Sequence, residues 1–411
     1  MDILTLNWLR SPPGQALLAE LAARPLEERD VLRELTRLRR DYPPELARAA
    51  LEQSLLRRRA RAKFPQADQL FFTREALEQA SGSHVARHRS ARFAPYAHIA
   101  DLCCGIGGDA LAFAAIGHRV TAVDQDGERL ALAQANAERL GLDGRISFVQ
   151  ADLLQAWPPA ADAIFCDPGR RSGTRRRFHV EDYTPPLSHV LAWRSSTPAL
   201  AVKLAPGVDK DELAPVGPHE LEFISLDGEL KEATLWCGPL AQTSTRATLL
   251  ISQPDGSTQH VEMLPASLLP PACGGAGGRQ RQSPISNPLA YLYEPDPAII
   301  RAGLVAELAA HLDAAQLDPQ IAYLTASELR ATPFARAWAV VEWMPFNLKR
   351  LRARLRELEA GPVTVKKRGS PLETDPLARQ LSGNGPRPLV VVLTVVESRP
   401  AALICVTTAR P

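Results

Sequence analysis

The chain has 411 residues, 45% of them hydrophobic, which is more than one hydrophobic core usually organises, so two or three domains are expected. Its formal net charge of +2 excludes both an overall polycationic coat and an acidic tail, so any site for a polyanion must be local. The six cysteines form no CxxC pair, no basic segment opens an apolar leader, and no apolar run approaches the roughly 20 residues of a membrane span. A cytoplasmic chain with neither metal nor membrane is the expectation.

From Pro13 to about Ala80 the apolar residues recur at helical spacing, as in Leu17, Leu18, Leu21 and Val31, Leu32, Leu35, Leu38, with Pro25, Pro43, Pro44 and Pro65 between successive helices. A basic run, Arg57 to Lys63, falls in this part of the chain, and a further cluster of Arg87, His88, Arg89 and Arg92 lies just before the next domain. Solvated helix faces and a phosphate-contacting patch are both open readings of them. Around Ala97 the pattern changes to short β-branched and aliphatic runs alternating with helical stretches, the mark of a parallel α/β sheet. Strands are expected at His98–Cys103, Arg119–Asp124, Ile146–Gln150, Ala163–Cys166 and Ala199–Leu204, with helices at Ala110–Ala115, Gly127–Leu140 and a short Leu153–Trp157. Leu221–Leu226 and Glu232–Cys237 flank Asp227-Gly228, a turn that joins antiparallel strands.

Past Pro239 a second hairpin is expected from Ala247–Ile251 and His260–Met263 around Pro254-Asp255-Gly256, then a Pro/Gly-rich linker over 268–284. Helices at Pro297–His311 and Asn347–Glu359 and strands at Gly361–Val365, Leu389–Val396 and Ala402–Val406 complete a small α+β module. The domain expectation is a helical region over 1–92, an α/β domain over 93–240 and an α+β domain over 241–411.

The chemistry concentrates in Ile99-Ala100-Asp101-Leu102-Cys103-Cys104-Gly105-Ile106-Gly107-Gly108-Asp109. An apolar strand meets a glycine-rich turn that opens a helix, so backbone can approach a ligand where a Cβ would collide. The spacing is not the G-x-G-x-x-G of dinucleotide sites, and acidic residues at the turn would repel a pyrophosphate. Asp101 therefore favours S-adenosylmethionine, which carries an ammonium and a sulfonium and no phosphate. Asp124, at the end of the second strand, stands where two carboxylate oxygens can accept both ribose hydroxyls, with Gln125 beside it. Asp152 follows the third strand and can accept from the adenine amine while Leu153 covers a ring face. With Cys103, Gly105 and Gly107 these make the expected cofactor set. Each acid taken singly is also a plausible helix N-cap.

This segment resembles the class I S-adenosylmethionine methyltransferases, and Cys104-Gly105-Ile106-Gly107-Gly108-Asp109 with Phe113 is similar to the motif of the trimethylguanosine synthases, which have Asn in place of this Asp. The whole arrangement also resembles bacterial class I methyltransferases with a C-terminal THUMP-like domain. The resemblance implies a Rossmann-like seven-stranded sheet closed by an antiparallel hairpin. It also implies an acceptor site at Asp167-Pro168, where amine-methylating relatives carry Asp/Asn/Ser-Pro-Pro and an aromatic. Here Gly169, Arg170 and Arg171 follow, so an Arg plane replaces the aromatic as the expected substrate contact. RNA is the expected partner, held by basic segments that include Lys349-Arg350-Leu351-Arg352 and Lys366-Lys367-Arg368. A protein or small-molecule acceptor, or a catalytically decayed RNA-binding module, is the alternative. Lys203, ending the fifth strand, is open between a cleft-facing role and a packing salt bridge.

Overall fold

The computed structural model describes residues 1–169, 171–172, 175–176, 179–266 and 282–408. Arg170 and the expected linker up to residue 281 lie outside them. The chain divides into two compact units, Met1–His219 with Ala233–Gln242, and Glu220–Glu232 with Thr243–Pro411.

The first unit begins with six helices, α1 (Ile3–Arg10), α2 (Pro12–Ala22), α3 (Val31–Leu38), α4 (Pro44–Ala60), α5 (Arg74–Gln79) and α6 (Ser83–Arg92). Their starts follow from local chemistry. The Asp2 carboxylate accepts from the Thr5 N–H at 2.7 Å, prolines open α2 and α4, and the Thr73 hydroxyl accepts from the Ala76 N–H at 3.2 Å. Leu17, Leu18, Leu21, Leu51 and Leu56 form a core that continues onto Ile106, Leu132 and Ala135 of the α/β part. The helical region is thus packed onto the nucleotide-fold half rather than tethered to it.

That half is built from β1 (His98–Leu102), α7 (Gly108–Ala115), β2 (Arg119–Asp124), α8 (Gly127–Leu140), β3 (Ile146–Gln150), β4 (Ala163–Cys166), α9 (Leu187–Ala192) and β5 (Leu200–Leu204). Strand order is β3-β2-β1-β4-β5, all parallel, and β5 then pairs antiparallel with a later strand, Lys203 opposite Thr234. The expected helix at Leu153–Trp157 is a single turn. Asp152 supplies its cap, accepting from the Leu154 N–H at 3.0 Å, and Pro158 and Pro159 stop it from propagating.

In the second unit β6 (His219–Leu226) turns into β7 (Glu229–Cys237) through Asp227 at φ 54° and Gly228 at φ 82°, the left-handed pair that a two-residue hairpin needs. β7 enters the first unit at Ala233. β8 (Thr245–Ser252) lies parallel to β6 and antiparallel to β9 (Thr258–Met263), which confirms the second hairpin. The seven-stranded sheet that follows contains β10 (Tyr291–Pro295), β11 (Ala315–Asp318), β12 (Ile321–Ala326), β13 (Ala335–Pro345), β14 (Ala360–Lys367), β15 (Arg387–Val396) and β16 (Arg399–Thr407), in the order β11-β12-β10-β13-β16-β15-β14. The single helix expected at Pro297–His311 is two, α10 (Pro297–Ala302) and α11 (Val305–Leu312), because Gly303 adopts φ 81° and caps the first. α12 (Leu348–Glu357) starts from an Asn347 cap and buries Leu351 and Leu355, and α13 (Thr374–Leu381) was not foreseen. Among the described residues no helix is long and apolar enough to cross a membrane.

Candidate active site

The glycine turn forms where β1 ends. Cys103 stands at φ 59°, Gly105 at φ 57° and Gly107 at φ 84°, and the Cys104 N–H donates to the Val123 carbonyl at 3.0 Å, tying the turn to β2. A Cβ on Gly107 would lie 3.1 Å from the Ala133 Cβ, so this glycine lets the start of α7 approach α8. A Cβ on Gly105 would meet no protein atom within 4 Å, so at Gly105 the turn faces open space.

Asp124, at the end of β2, is 6% exposed and reaches across to this turn. Its Oδ2 accepts from the Gly105 N–H at 2.9 Å and its Oδ1 from the Asp126 N–H at 3.0 Å, which fixes the carboxylate plane and leaves each oxygen lone-pair capacity for a further donor. Gln125 is exposed, and its carbonyl accepts from the Gln150 side chain at 3.1 Å. Beyond β3, Asp152 caps its own turn and Leu153 is buried, with the Leu153 carbonyl held by the His189 ring at 2.8 Å. The structure therefore brings Cys103, Gly105, Gly107, Asp124 and Gln125 around one turn and sets Asp152 and Leu153 at the end of the neighbouring strand.

Asp101 is different from these. It is 1% exposed, and its Oδ2 has no hydrogen-bond partner among the described residues. Burial pushes its carboxyl well above the ordinary value, the carboxylates of Asp109 and Asp167 push it further, and Arg89 pulls it partly back. Arg89 itself is fully buried on α6, ion-paired with Asp109 and stacked 4.4 Å from the Phe165 ring centroid. Asp109 is therefore already neutralised by protein.

β4 delivers Asp167, whose N–H donates to the Leu102 carbonyl at 3.1 Å. Its Oδ2 lies 2.7 Å from the Lys203 ammonium, and that side chain, only 3% exposed, donates also to the Gln79 carbonyl at 3.4 Å. Pro168 is buried. Gly169 exchanges two backbone hydrogen bonds with Thr184, at 2.8 and 2.9 Å. Beyond it Arg171–Ser172 pair antiparallel with Arg175–Arg176. Tyr183 is 1% exposed and its hydroxyl accepts from the Ala205 N–H at 3.3 Å, so it braces the site from inside. His179 pairs with Glu212 at 2.9 Å.

Asp101, Asp109 and Asp167 thus share this neighbourhood with Arg89 and Lys203 among the described residues. A buried acid whose Oδ2 is unpaired among the described residues, beside an open glycine cradle, suits a ligand bearing an ammonium or sulfonium. Sequence reasoning missed Arg89 and the Gln79 carbonyl. It also took the run at Arg57 as surface, whereas Arg57 is 8% exposed, donates to the Leu70 carbonyl at 2.9 Å and stacks on Phe71, and Arg58 binds the carbonyls of Leu21 and Leu26 at 3.1 and 3.2 Å. Among the described residues no cluster of His, Cys, Asp and Glu is arranged to hold a metal.

A parallel sheet in the order β3-β2-β1-β4-β5 with an antiparallel closing strand, a glycine turn after β1 and acids at the ends of the next two strands define a class I methyltransferase. Residues 96–187 match the family of RNA cap guanine-N2 methyltransferases, 335–407 the THUMP-like domains, and 2–60 a domain of unknown function. An uncharacterised S-adenosylmethionine-dependent methyltransferase of Mycobacterium tuberculosis is 35% identical over 369 residues, 88% of this chain and 96% of that protein. The chain belongs to this family of S-adenosylmethionine-dependent methyltransferases. The crystal structure of a candidate methyltransferase from Porphyromonas gingivalis W83 shares the fold, with a TM-score of 0.70 at 20% identity over 94% of this chain and 100% of that one. A 23S rRNA (uracil(1939)-C(5))-methyltransferase of Acidithiobacillus ferrooxidans is 35% identical over 111 residues, 25% of each chain.

Proposed function

We propose that this methyltransferase acts in the cytoplasm on a nitrogen of a base in RNA. The observation that carries the reading is Asp167-Pro168 at the end of β4, with the carboxylate anchored by Lys203 beside the glycine turn. The match of residues 96–187 to RNA cap guanine-N2 methyltransferases and of 335–407 to THUMP-like domains supports RNA as the acceptor. Exposed Lys349, Arg350 and Lys367 in the THUMP-like part suit phosphate contacts. In this reading Cys103, Gly105 and Gly107 let backbone approach the cofactor, Asp124 binds the ribose hydroxyls with Gln125 alongside, Asp152 and Leu153 hold the adenine, and Asp101 faces the ammonium. Gly169, Arg170 and Arg171 contact the RNA.

Bound S-adenosylmethionine supplies an electrophilic methyl carbon on a sulfonium. The protein's task is orientation, because transfer needs the acceptor lone pair in line with that carbon. Asp167 and the Pro168 carbonyl hold the acceptor amine by its N–H groups, and the Asp167 charge offsets the positive charge that develops on the nitrogen. Asp167→Ala is expected to bind S-adenosylhomocysteine with unchanged affinity while losing transfer of radiolabelled methyl to total bacterial RNA by about 100-fold or more. Label entering only protein or small metabolites would overturn the RNA acceptor.

A further inference from the structure

Lys203 sits at an unusual position for a lysine. It is the one charged residue in the strand Leu200-Ala201-Val202-Lys203-Leu204, whose residues are all buried, and it faces Thr234 across an antiparallel pair. Its side chain is 3% exposed. Removing an ammonium from water is costly, and a buried ion pair is seldom more stable than a well-packed apolar substitute, so stability alone gives little reason for it. The ammonium has three donors. One goes to Asp167 Oδ2 at 2.7 Å and one to the Gln79 carbonyl at 3.4 Å, at the end of α5. Asp167 Oδ1 receives no hydrogen bond from a described residue.

We infer that Lys203 is a positioning residue for the methyl transfer: it locks Oδ2 of Asp167 so that Oδ1 is presented in one orientation to the acceptor N–H. This deepens the proposed function and rests on Asp167 as the acceptor-holding group. A carboxylate fixed at one oxygen cannot swing, so the amine it holds keeps its lone pair aimed at the sulfonium methyl, and orientation of this kind is where transfer gains its rate. In the step itself the nitrogen lone pair forms the new N–C bond, the C–S bond breaks with its electron pair staying on sulfur, and the displaced N–H proton leaves by way of Asp167 Oδ1 to water. The Gln79 carbonyl ties this arrangement to the helical N-terminal region. That region thus helps set the acceptor site as well as covering α8.

The test compares the full-length protein with Lys203→Met, Lys203→Arg, Asp167→Asn and the double variant Lys203→Met/Asp167→Asn. Binding of S-adenosylhomocysteine should stay within about two-fold in all of them, since the two hydrogen bonds of Lys203 go to Asp167 and the Gln79 carbonyl and not to the residues proposed to hold the cofactor. Transfer of labelled methyl to total bacterial RNA should fall about 30- to 100-fold in kcat for Lys203→Met and recover to within about ten-fold for Lys203→Arg, as a loss of orientation requires. The double variant should be no slower than Asp167→Asn alone, because the two residues act as one unit. A Lys203→Met loss below about three-fold, or losses that multiply in the double variant, would overturn the inference. If the wild type labels no RNA, the RNA reading has failed, and the inference is judged on crystal structures with S-adenosylhomocysteine. It stands if the Asp167 carboxylate turns away in Lys203→Met and returns in Lys203→Arg, and falls if the carboxylate stays in place without the ammonium.

Discussion

Cys103 occupies a left-handed backbone conformation, φ 59°, at the place in the turn where glycine would be at ease. The steric cost for an L-residue there is about 1–2 kcal/mol. Replacing it with glycine removes that cost and adds about 0.5–1 kcal/mol of chain entropy to the unfolded state. Cys103→Gly is therefore expected to be neutral to stabilising, by less than about 1 kcal/mol, with cofactor affinity kept. Cys103→Val should be clearly destabilising. Chemical denaturation of the three proteins checks the order, and a destabilised glycine variant would mean that the thiol packs for more than the backbone costs.

Asp101 makes a second prediction at this scale. Its folded carboxyl titrates above the ordinary 3.8, so the native state holds that proton more tightly than the unfolded one. Its contribution to stability is therefore greatest at low pH and falls as pH rises from 3.8 through the raised folded value. A cation placed against it draws the proton off. Binding of S-adenosylhomocysteine, which keeps the ammonium, should release a proton below that folded value, seen calorimetrically as a heat that depends on the buffer, and Asp101→Asn should abolish the release. A buffer-independent heat in the wild type across this range would remove Asp101 from contact with the ammonium. Of this set, the glycine turn and the acids after β2 and β3 were legible because strand ends and turn residues are written locally. The upward shift of the Asp101 carboxyl was not, because it follows first from burial and then from Asp109, Asp167 and Arg89 converging from three other elements.

At the scale of elements, the Arg89–Asp109 pair joins α6 to α7 and lays a guanidinium on the β4 ring of Phe165. With Arg89 fully buried, truncating it takes a buried cation away from Asp109 and Asp101. Arg89→Ala is expected to cost about 3–5 kcal/mol in urea unfolding, and Arg89→Met/Asp109→Asn appreciably less, since the second change removes the carboxylate that Arg89 pairs with. Equal losses in both would show that Arg89 acts through packing alone. The sequence held a signal for this that charge counting hides. Arg89 lies one helical turn after Val85, on the face that buries Val85 and Ala86, just as Arg57 follows buried Gln53 by four residues. A basic run on a helix should be divided by face before it is read as a surface. The strand β13 escaped for a related reason: its burial alternates irregularly, half-buried at most positions, so its sequence shows no clean period.

At the scale of the molecule, the helical region and the nucleotide fold share one core, and a single side chain shows how closely. Asn136 of α8, 1% exposed, accepts from the Phe71 N–H at 2.7 Å and donates to the carbonyls of Phe71 and Ile106 at 3.2 and 3.3 Å, joining the segment before α5 to the glycine turn. Nothing in the local pattern around Asn136 announces this, since its partners are 65 and 30 residues away in the chain.

The second unit makes the remaining prediction, because the chain crosses between units at 219/220, 232/233 and 242/243. A fragment that starts at residue 241 keeps β8 and β9 but discards β6. Thr245 to Leu250 of β8 would then lose their parallel ladder to Leu221–Leu226 and present a bare apolar edge, with Ala247, Leu249 and Leu250 among its buried residues. Arg246 would also lose Glu220, its 2.7 Å partner. An exposed strand of this kind is a template for pairing with other chains. A fragment from residue 220 onward keeps both the ladder and the ion pair. Both fragments open an apolar edge, 220–411 at the stretch of β7 that Leu200–Leu204 covers in the whole chain, so the expectation that separates them is that 220–411 protects the amides of β8 from exchange whereas 241–411 exchanges them freely. If 241–411 proves monomeric with β8 equally protected, the unit does not need β6, and a boundary near residue 240 describes the domain better than the contacts do.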